Sequence, residues 1–168
     1  MAVAVPEPWG GRLQDYRVAL GDAVARGIPT HITLCPPVDV PDDALAPLVA
    51  HLDGVGPRLA PFRVRLRGTA TFRPVSPVVF VAVVEGISGC ERLAEAVLSG
   101  PLGIDLEFPY HPHVTVAHDV GDDLLDRAYA ELADIDGDFE VAQFHLYLHD
   151  AEAGWRPERR FGLVGTGT

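Results

Sequence analysis

The sequence predicts an α+β fold: two pseudo-symmetric lobes of antiparallel sheet, helices outside, and a central cleft. Three observations lead there. His31-Ile-Thr33-Leu34 recurs as His113-Val-Thr115-Val116, and each copy is followed by a turn and an acidic pair, Asp42-Asp43 and Asp122-Asp123. Seven His and seven Thr in 168 residues would give about 0.3 His-x-Thr triplets by chance, so two copies in like settings mark an internal repeat. The order helix, motif strand, helix, strand, strand reads twice along the chain. The connections are short and suit hairpins, which favours antiparallel pairing.

Ala2–Val5 reads as a short strand. Leu13–Arg26 places Leu13, Tyr16, Leu20 and Val24 on one stripe and is expected to be a helix closed by Gly27. Ile28–Leu34 is the first motif strand, stopped by Pro36-Pro37 because proline cannot donate to a ladder. Asp42–Leu52 reads as a helix whose acidic first turn meets the positive end of the helix dipole. Phe62–Phe72 and Val78–Val84 are expected strands around the turn Pro74-Val-Ser-Pro77.

The second lobe repeats the order. Ser88 is expected to cap a helix over Gly89–Leu98. Tyr110–His118 is the second motif strand, Asp122–Ala133 a helix, and Phe139–His149 and Arg160–Val164 strands. The two lobes cover roughly 10–84 and 88–164 of one bilobal domain over 1–168. Gly165–Thr168 reads as a frayed tail.

Composition bounds the function. The chain is 48% hydrophobic and carries a net charge of −11. Binding to duplex nucleic acid, which depends on backbone neutralisation, is therefore disfavoured. A small nucleotide or an RNA terminus needs only a local field and remains an acceptable partner; a monomer is expected. Met1–Pro6 has no basic region and too short an apolar run for a signal peptide, and no stretch approaches the ~20 apolar residues of a membrane span. Cys35 and Cys90 give no disulfide framework, so a cytoplasmic location is expected. All thirteen basic residues are Arg. Arg63, Arg65 and Arg67 alternate with Val64 and Leu66, near Arg58 and Arg73. They form either a solvated face that protects a sheet edge or a rim that attracts a phosphorylated substrate.

The motif spacing carries the chemistry. Residues i and i+2 of a strand share a face, so His31 projects with Thr33 and His113 with Thr115, while Ile32, Leu34, Val114 and Val116 face the helices. Side by side at a pseudo-twofold axis, the two strands would bring two imidazoles and two hydroxyls into one cleft. One imidazole can take a proton from a nucleophile while the other protonates a leaving oxygen. The hydroxyls can donate to non-bridging phosphate oxygens.

This paired signature resembles the 2H phosphoesterase superfamily, which includes 2′-5′ RNA ligase-like proteins and cyclic phosphodiesterases. The resemblance spans roughly Ala2 to Leu163 and implies that His31, Thr33, His113 and Thr115 are the catalytic positions. It implies a phosphodiesterase that needs no metal or other cofactor and opens a 2′,3′-cyclic phosphate, or a related ribose cyclic phosphate, on a nucleotide or RNA end. The reverse step would be 2′-5′ RNA ligation. Relatives often carry Arg shortly after the second motif, in a His-x-Thr-Leu-Ala-Arg pattern, where this chain has His118.

Further candidates come from the residues themselves. Tyr110 and Phe72 are candidates to stack on a base, with Phe108 a weaker one, and Arg73 and His118 to contact substrate at the cleft mouth. His111 shares parity with His113 and reads as a support for that strand or an outer substrate contact. On a regular strand His118 has the opposite parity. Asp122 and Asp123 read as helix caps; His51, His145 and His149 find no partner in the sequence, and Trp9 and Trp155 no place. Two other function classes stay open: a non-catalytic module that binds a phosphorylated ligand, and a metal-dependent hydrolase built on His111, His113 and His118.

Overall fold

The computed structural model describes residues 1–152 and 154–166, so the expected tail, Gly165–Thr168, ends outside the described residues. In chain order the elements are β1 (Ala2–Ala4), α1 (Trp9–Leu20), β2 (His31–Thr33), α2 (Asp42–Val55), β3 (Phe62–Thr71), β4 (Val78–Glu85), α3 (Ile87–Leu98), β5 (His113–His118), α4 (Asp122–Glu131), β6 (Asp136–Val141), β7 (Gln143–Asp150) and β8 (Gly154–Gly162). The α+β class and the antiparallel pairing hold. The two expected sheets, however, are one, with strand order β6-β3-β4-β5-β2-β1-β7-β8. β2 and β5 lie at its centre, with three strands outside each. The hairpin β3–β4, which follows the first motif, flanks the strand of the second, while β7–β8 joins the side of the first.

One connection determines the curvature. A continuous strand over Phe139–His149 is replaced by β6 and β7 with only Ala142 between them. β6 forms one edge of the sheet, whereas β7 lies next to the other. A single residue spans at most ~3.6 Å, so those strand ends must meet and the sheet must bend round. The result is a concave face on one side and a helix-covered face on the other.

The helix-covered face is the alternation read from the motifs. Ile32, Val114, Val116, Val81, Val64 and Leu66 are fully buried there, in one core with Leu13, Leu48, Leu52, Leu93 and Leu125 from the four helices. Each such side chain contributes about 1.5–3 kcal/mol on burial.

Element ends differ from expectation for local reasons. α1 starts at Trp9 because Gly10 lets the helix close against the Val5 carbonyl, into which any side chain would run. It stops at Gly21 (φ 93°), not Gly27; the Gly21 N–H caps the carbonyls of Arg17 and Val18. Just beyond, Asp22 turns inward to a buried ion pair with Arg17 (2.9 Å). α3 begins after Gly86, so Ser88 lies inside the helix and caps nothing. Asp122 and Asp123 occupy the first turn of α4 without a side-chain capping bond.

Candidate active site

The central pair sets the geometry. β2 and β5 run antiparallel with Ile32 opposite Val114. On the concave face His31 therefore stands across from Thr115, and Thr33 across from His113. The histidines occupy a diagonal, a placement with Cα atoms about 7–8 Å apart.

Both rings are oriented in the same way. The Nδ1–H of His31 donates to the Pro29 carbonyl (2.6 Å), and that of His113 donates to the His111 carbonyl (2.8 Å). A carbonyl only accepts, so the proton of each neutral imidazole resides on Nδ1 and the lone pair on Nε2. His31 Nε2 accepts from the Thr33 hydroxyl (3.1 Å). Burial, the largest effect, holds both histidines below their usual value of 6.5, against the bonds to Pro29 and His111. Arg17 and the terminal amine push His31 further down, and His111 and His31 do the same to His113.

A cavity of about 290 Å³ opens beside His31. Its wall includes Arg17, Thr33, Thr115, His118, Tyr147 and Trp155. His113 stands beside it, with Phe72 and Phe80 at ring-centroid distances of 5.0 and 5.1 Å and His111 at 6.4 Å. Phe72, a candidate from the sequence, thus reaches the site; Phe80 and His111 complete an aromatic wall.

The other candidates fare differently. His118 does line the cavity, against its expected parity. Val79 pairs with Ala117 but Phe80 with Thr115, so β5 carries an extra residue there and the bulge turns His118 to the concave side. Its Nε2 lies 3.3 Å from an Asp119 carboxylate oxygen. Tyr110 does not offer its ring to the cleft. It packs on the core beside α3, and its hydroxyl donates to the Thr33 carbonyl (3.0 Å). Arg73 is held by α4, donating to Asp126 (2.7 Å) with Asp122 at 3.7 Å. Phe108 is exposed at 60%. Trp9 packs on the core and Trp155 on the cavity wall.

Two arginines of the row on β3, Arg63 and Arg65, are occupied by acids of neighbouring strands. Arg63 pairs with Asp138, and Arg65 with Asp136 (2.7 Å) and Glu85 (3.3 Å). His51 donates from Nε2 to the Ala96 carbonyl (2.9 Å) and ties α2 to α3. Among the described residues, no three His, Cys, Asp or Glu side chains gather as a metal-binding group, and no helix is long and apolar enough to cross a membrane.

Arg17, Phe80, Tyr147 and Trp155 join the site without having been singled out for it. For Tyr147 the signal was present: it alternates with buried Phe144 and Leu146. Arg17 gave none, since an arginine near a helix end is ordinary.

Known proteins resemble this chain in sequence and in fold. The family model described as the 2′-5′ RNA ligase superfamily matches residues 5–153. The chain belongs to this superfamily. It is 30% identical over 138 residues, 81% of each protein, to a Bacillus licheniformis protein named "Putative phosphoesterase". A protein of Geobacillus kaustophilus with the same description is 27% identical over 84% of this chain and 82% of its own. Among solved structures, a Thermus thermophilus protein superposes with a TM-score of 0.69 at 22% identity, covering 99% of this chain and 97% of that one. LigT of E. coli complexed with 3′-AMP gives 0.65 at 18% identity, over 97% and 95%. At these identities the structural likeness is one of fold.

Proposed function

We propose that this member of the superfamily is a metal-independent phosphodiesterase that opens a 2′,3′-cyclic phosphate on a nucleotide or RNA end by two-histidine acid–base catalysis. The observation that carries the reading is the pair of matched Nδ1–H bonds, which leave an Nε2 on each side of one cleft. In the reaction, one Nε2 takes a proton from water as its oxygen attacks phosphorus. The bond from phosphorus to one ribose oxygen breaks, and the other histidine, protonated on Nε2, gives its proton to that oxygen. Thr33 and Thr115 donate to the non-bridging oxygens, where negative charge collects. The product is a ribose monophosphate with one hydroxyl restored. With an RNA 5′-hydroxyl in place of water as the nucleophile and the 3′ oxygen as the leaving group, the same steps join ends through a 2′-5′ bond.

Phe72 and His111, backed by the buried Phe80 ring, offer a face on which a base can stack, an interaction of about 1–3 kcal/mol. E. coli LigT, of like fold, was crystallised with 3′-AMP, a nucleoside phosphate of the type this hydrolysis can leave. In this scheme His118 takes an outer contact at the cavity rim. Its neighbour Asp119 makes it a weaker phosphate ligand than an arginine.

The test is hydrolysis of the four nucleoside 2′,3′-cyclic monophosphates in EDTA by the wild type, His31→Ala and His113→Ala. Turnover by the wild type, reduced at least ~100-fold in each variant, is expected. Full activity in His113→Ala, or loss of wild-type activity to the chelator, would overturn the mechanism. Ligand binding without turnover would favour a non-catalytic module.

A further inference from the structure

The concave face carries polar groups that the two-histidine step does not use. Through the strand registers one row crosses five strands: His113 on β5, Thr33 on β2, Ala2 on β1, His145 on β7 and Arg160 on β8. Paired residues share a face, so all five point the same way. His145 is half-buried, and its Nδ1 is buried without a hydrogen-bond partner. Arg160 is exposed, and among the described residues no carboxylate pairs with it. It contrasts with its neighbour Arg159, which Asp53 holds at 2.7 Å on the other side of the sheet. Arg160 is close enough to lower the proton affinity of His145, after the larger effect of burial.

Strands lie about 4.8 Å apart, so the backbone under His145 is roughly 10 Å from that under Thr33, and the curvature brings the side chains closer. Only the methyl group of Ala2 stands between them. Ala2 and Tyr147 both line the cavity beside His31, and the Tyr147 ring lies 5.8 Å from that of His145. A ligand that fills this cavity from the reacting centre therefore meets Ala2 and Tyr147, the neighbours of His145 on this face, and the His145–Arg160 pair lies just beyond them.

We propose that His145 and Arg160 form a second phosphate subsite, which selects substrates with a phosphate group on the 5′ oxygen of the reacting nucleotide. The group is one of two kinds, a terminal 5′-phosphate or the phosphodiester to a preceding nucleotide. Arg160 meets the phosphate with its planar fork, and a ring nitrogen of His145 donates to it. This rests on the proposed reaction for the identity of the first phosphate, but the second subsite is measurable without turnover.

The test has a binding arm and a kinetic arm. Calorimetry compares adenosine 3′-phosphate with adenosine 3′,5′-bisphosphate on the wild type, Arg160→Gln and His145→Ala. The bisphosphate is expected to bind the wild type at least tenfold more tightly, an advantage lost in Arg160→Gln and reduced in His145→Ala, with the monophosphate bound alike by all three. Kinetics compare adenosine 2′,3′-cyclic phosphate, its 5′-phosphorylated form, and a dinucleotide ending in the same cyclic phosphate. The KM of one or both 5′-substituted substrates should rise in Arg160→Gln while kcat holds, and which of them responds separates a terminal phosphate from a diester. Equal affinity of the wild type for the two calorimetric ligands would overturn the subsite. Absence of turnover with the binding advantage intact would overturn the proposed reaction and leave the subsite standing.

Discussion

Ile32 stands opposite Val114 across the central strand pair, and this one register makes the site two-sided. Each motif's threonine is thereby set beside the other motif's histidine. A phosphate on the diagonal meets a hydroxyl from each half. Thr33→Val and Thr115→Val should each lower kcat by about 10²-fold, the scale on which loss of one preorganised donor to a developing oxyanion is felt. Thr33→Val has an added effect, because the Thr33 hydroxyl also donates to His31 Nε2. Steady-state kinetics would check both; a KM increase with unchanged kcat would show that the hydroxyls bind the ground state only.

The acidity of the pair sets the pH dependence. Burial holds both histidines below 6.5, and His31 further depresses His113. Catalysis needs one proton shared by two sites, so the active form is most populated between their two apparent pKa values. The profile of kcat/KM should be a bell with its maximum below pH 6.5. A rate that climbs to a plateau above pH 8 would contradict it. In His31→Ala the NMR titration of His113 should move upward, since one lowering influence is gone. Stability follows the same sign. The unfolded chain takes up protons near 6.5 before the folded one does, so these histidines destabilise the fold as pH drops through that value.

The arginine row on β3 gives a prediction of no effect. Arg65 donates to Asp136 and Glu85, and those carboxylates raise its proton affinity further. Its charge is thus met at the far edge of the sheet. Arg65→Gln should leave KM for a cyclic nucleotide unchanged; a severalfold increase would restore the view of this row as a substrate rim.

What could be read from the chain was whatever depends on neighbours in sequence. His31 with Thr33 and His113 with Thr115 follow from strand alternation, and the buried faces of Ile32 and Val114 follow with them. The bulge that turns His118 inward could not be read, because Val116 and Ala117 look like ordinary strand residues and only the pairing with β4 reveals the extra one. Nor could the placement of His145. Its shared face with Tyr147 was visible, but its partners, Ala2 and Arg160, are set by strand pairing between the two ends of the chain. Gly27 was expected to end α1, but the helix ends at Gly21, where the next residue, Asp22, is buried against Arg17, a contact that sequence spacing does not show.

Tyr110 acts on the site from the far side of the sheet. Its hydroxyl donates to the Thr33 carbonyl, and burial, then Cys90 and Glu91, keep that hydroxyl protonated far above neutrality. Tyr110→Phe leaves the carbonyl without its donor, at a cost of about 1–3 kcal/mol. Denaturant titration should show that loss. If the bond also positions Thr33, kcat should fall severalfold at unchanged KM, whereas a purely structural bond would lower stability alone.

The buried pair of Arg17 and Asp22 carries the last prediction. Arg17 is anchored twice more: its guanidinium donates through Nη1 to the Ile28 carbonyl (3.1 Å), and its aliphatic stem lies in the core end of α1. Asp22 in turn accepts from the Val24 N–H (3.1 Å), so the pair fixes the segment that leads into Pro29 and His31. Removing one member of a buried pair strands the other charge and costs about 3–5 kcal/mol. Asp22→Ala should therefore lower the unfolding free energy by that amount and disturb the cavity wall that Arg17 forms. Replacing both residues with apolar ones (Arg17→Met with Asp22→Leu) should recover much of the stability, because no charge is left unpaired. It should not recover the positive charge beside His31, so the pKa of that histidine should rise in the double variant even where the fold is restored. NMR titration of His31 separates the two effects, and an unchanged His31 pKa would show that Arg17 supports the fold without tuning the site.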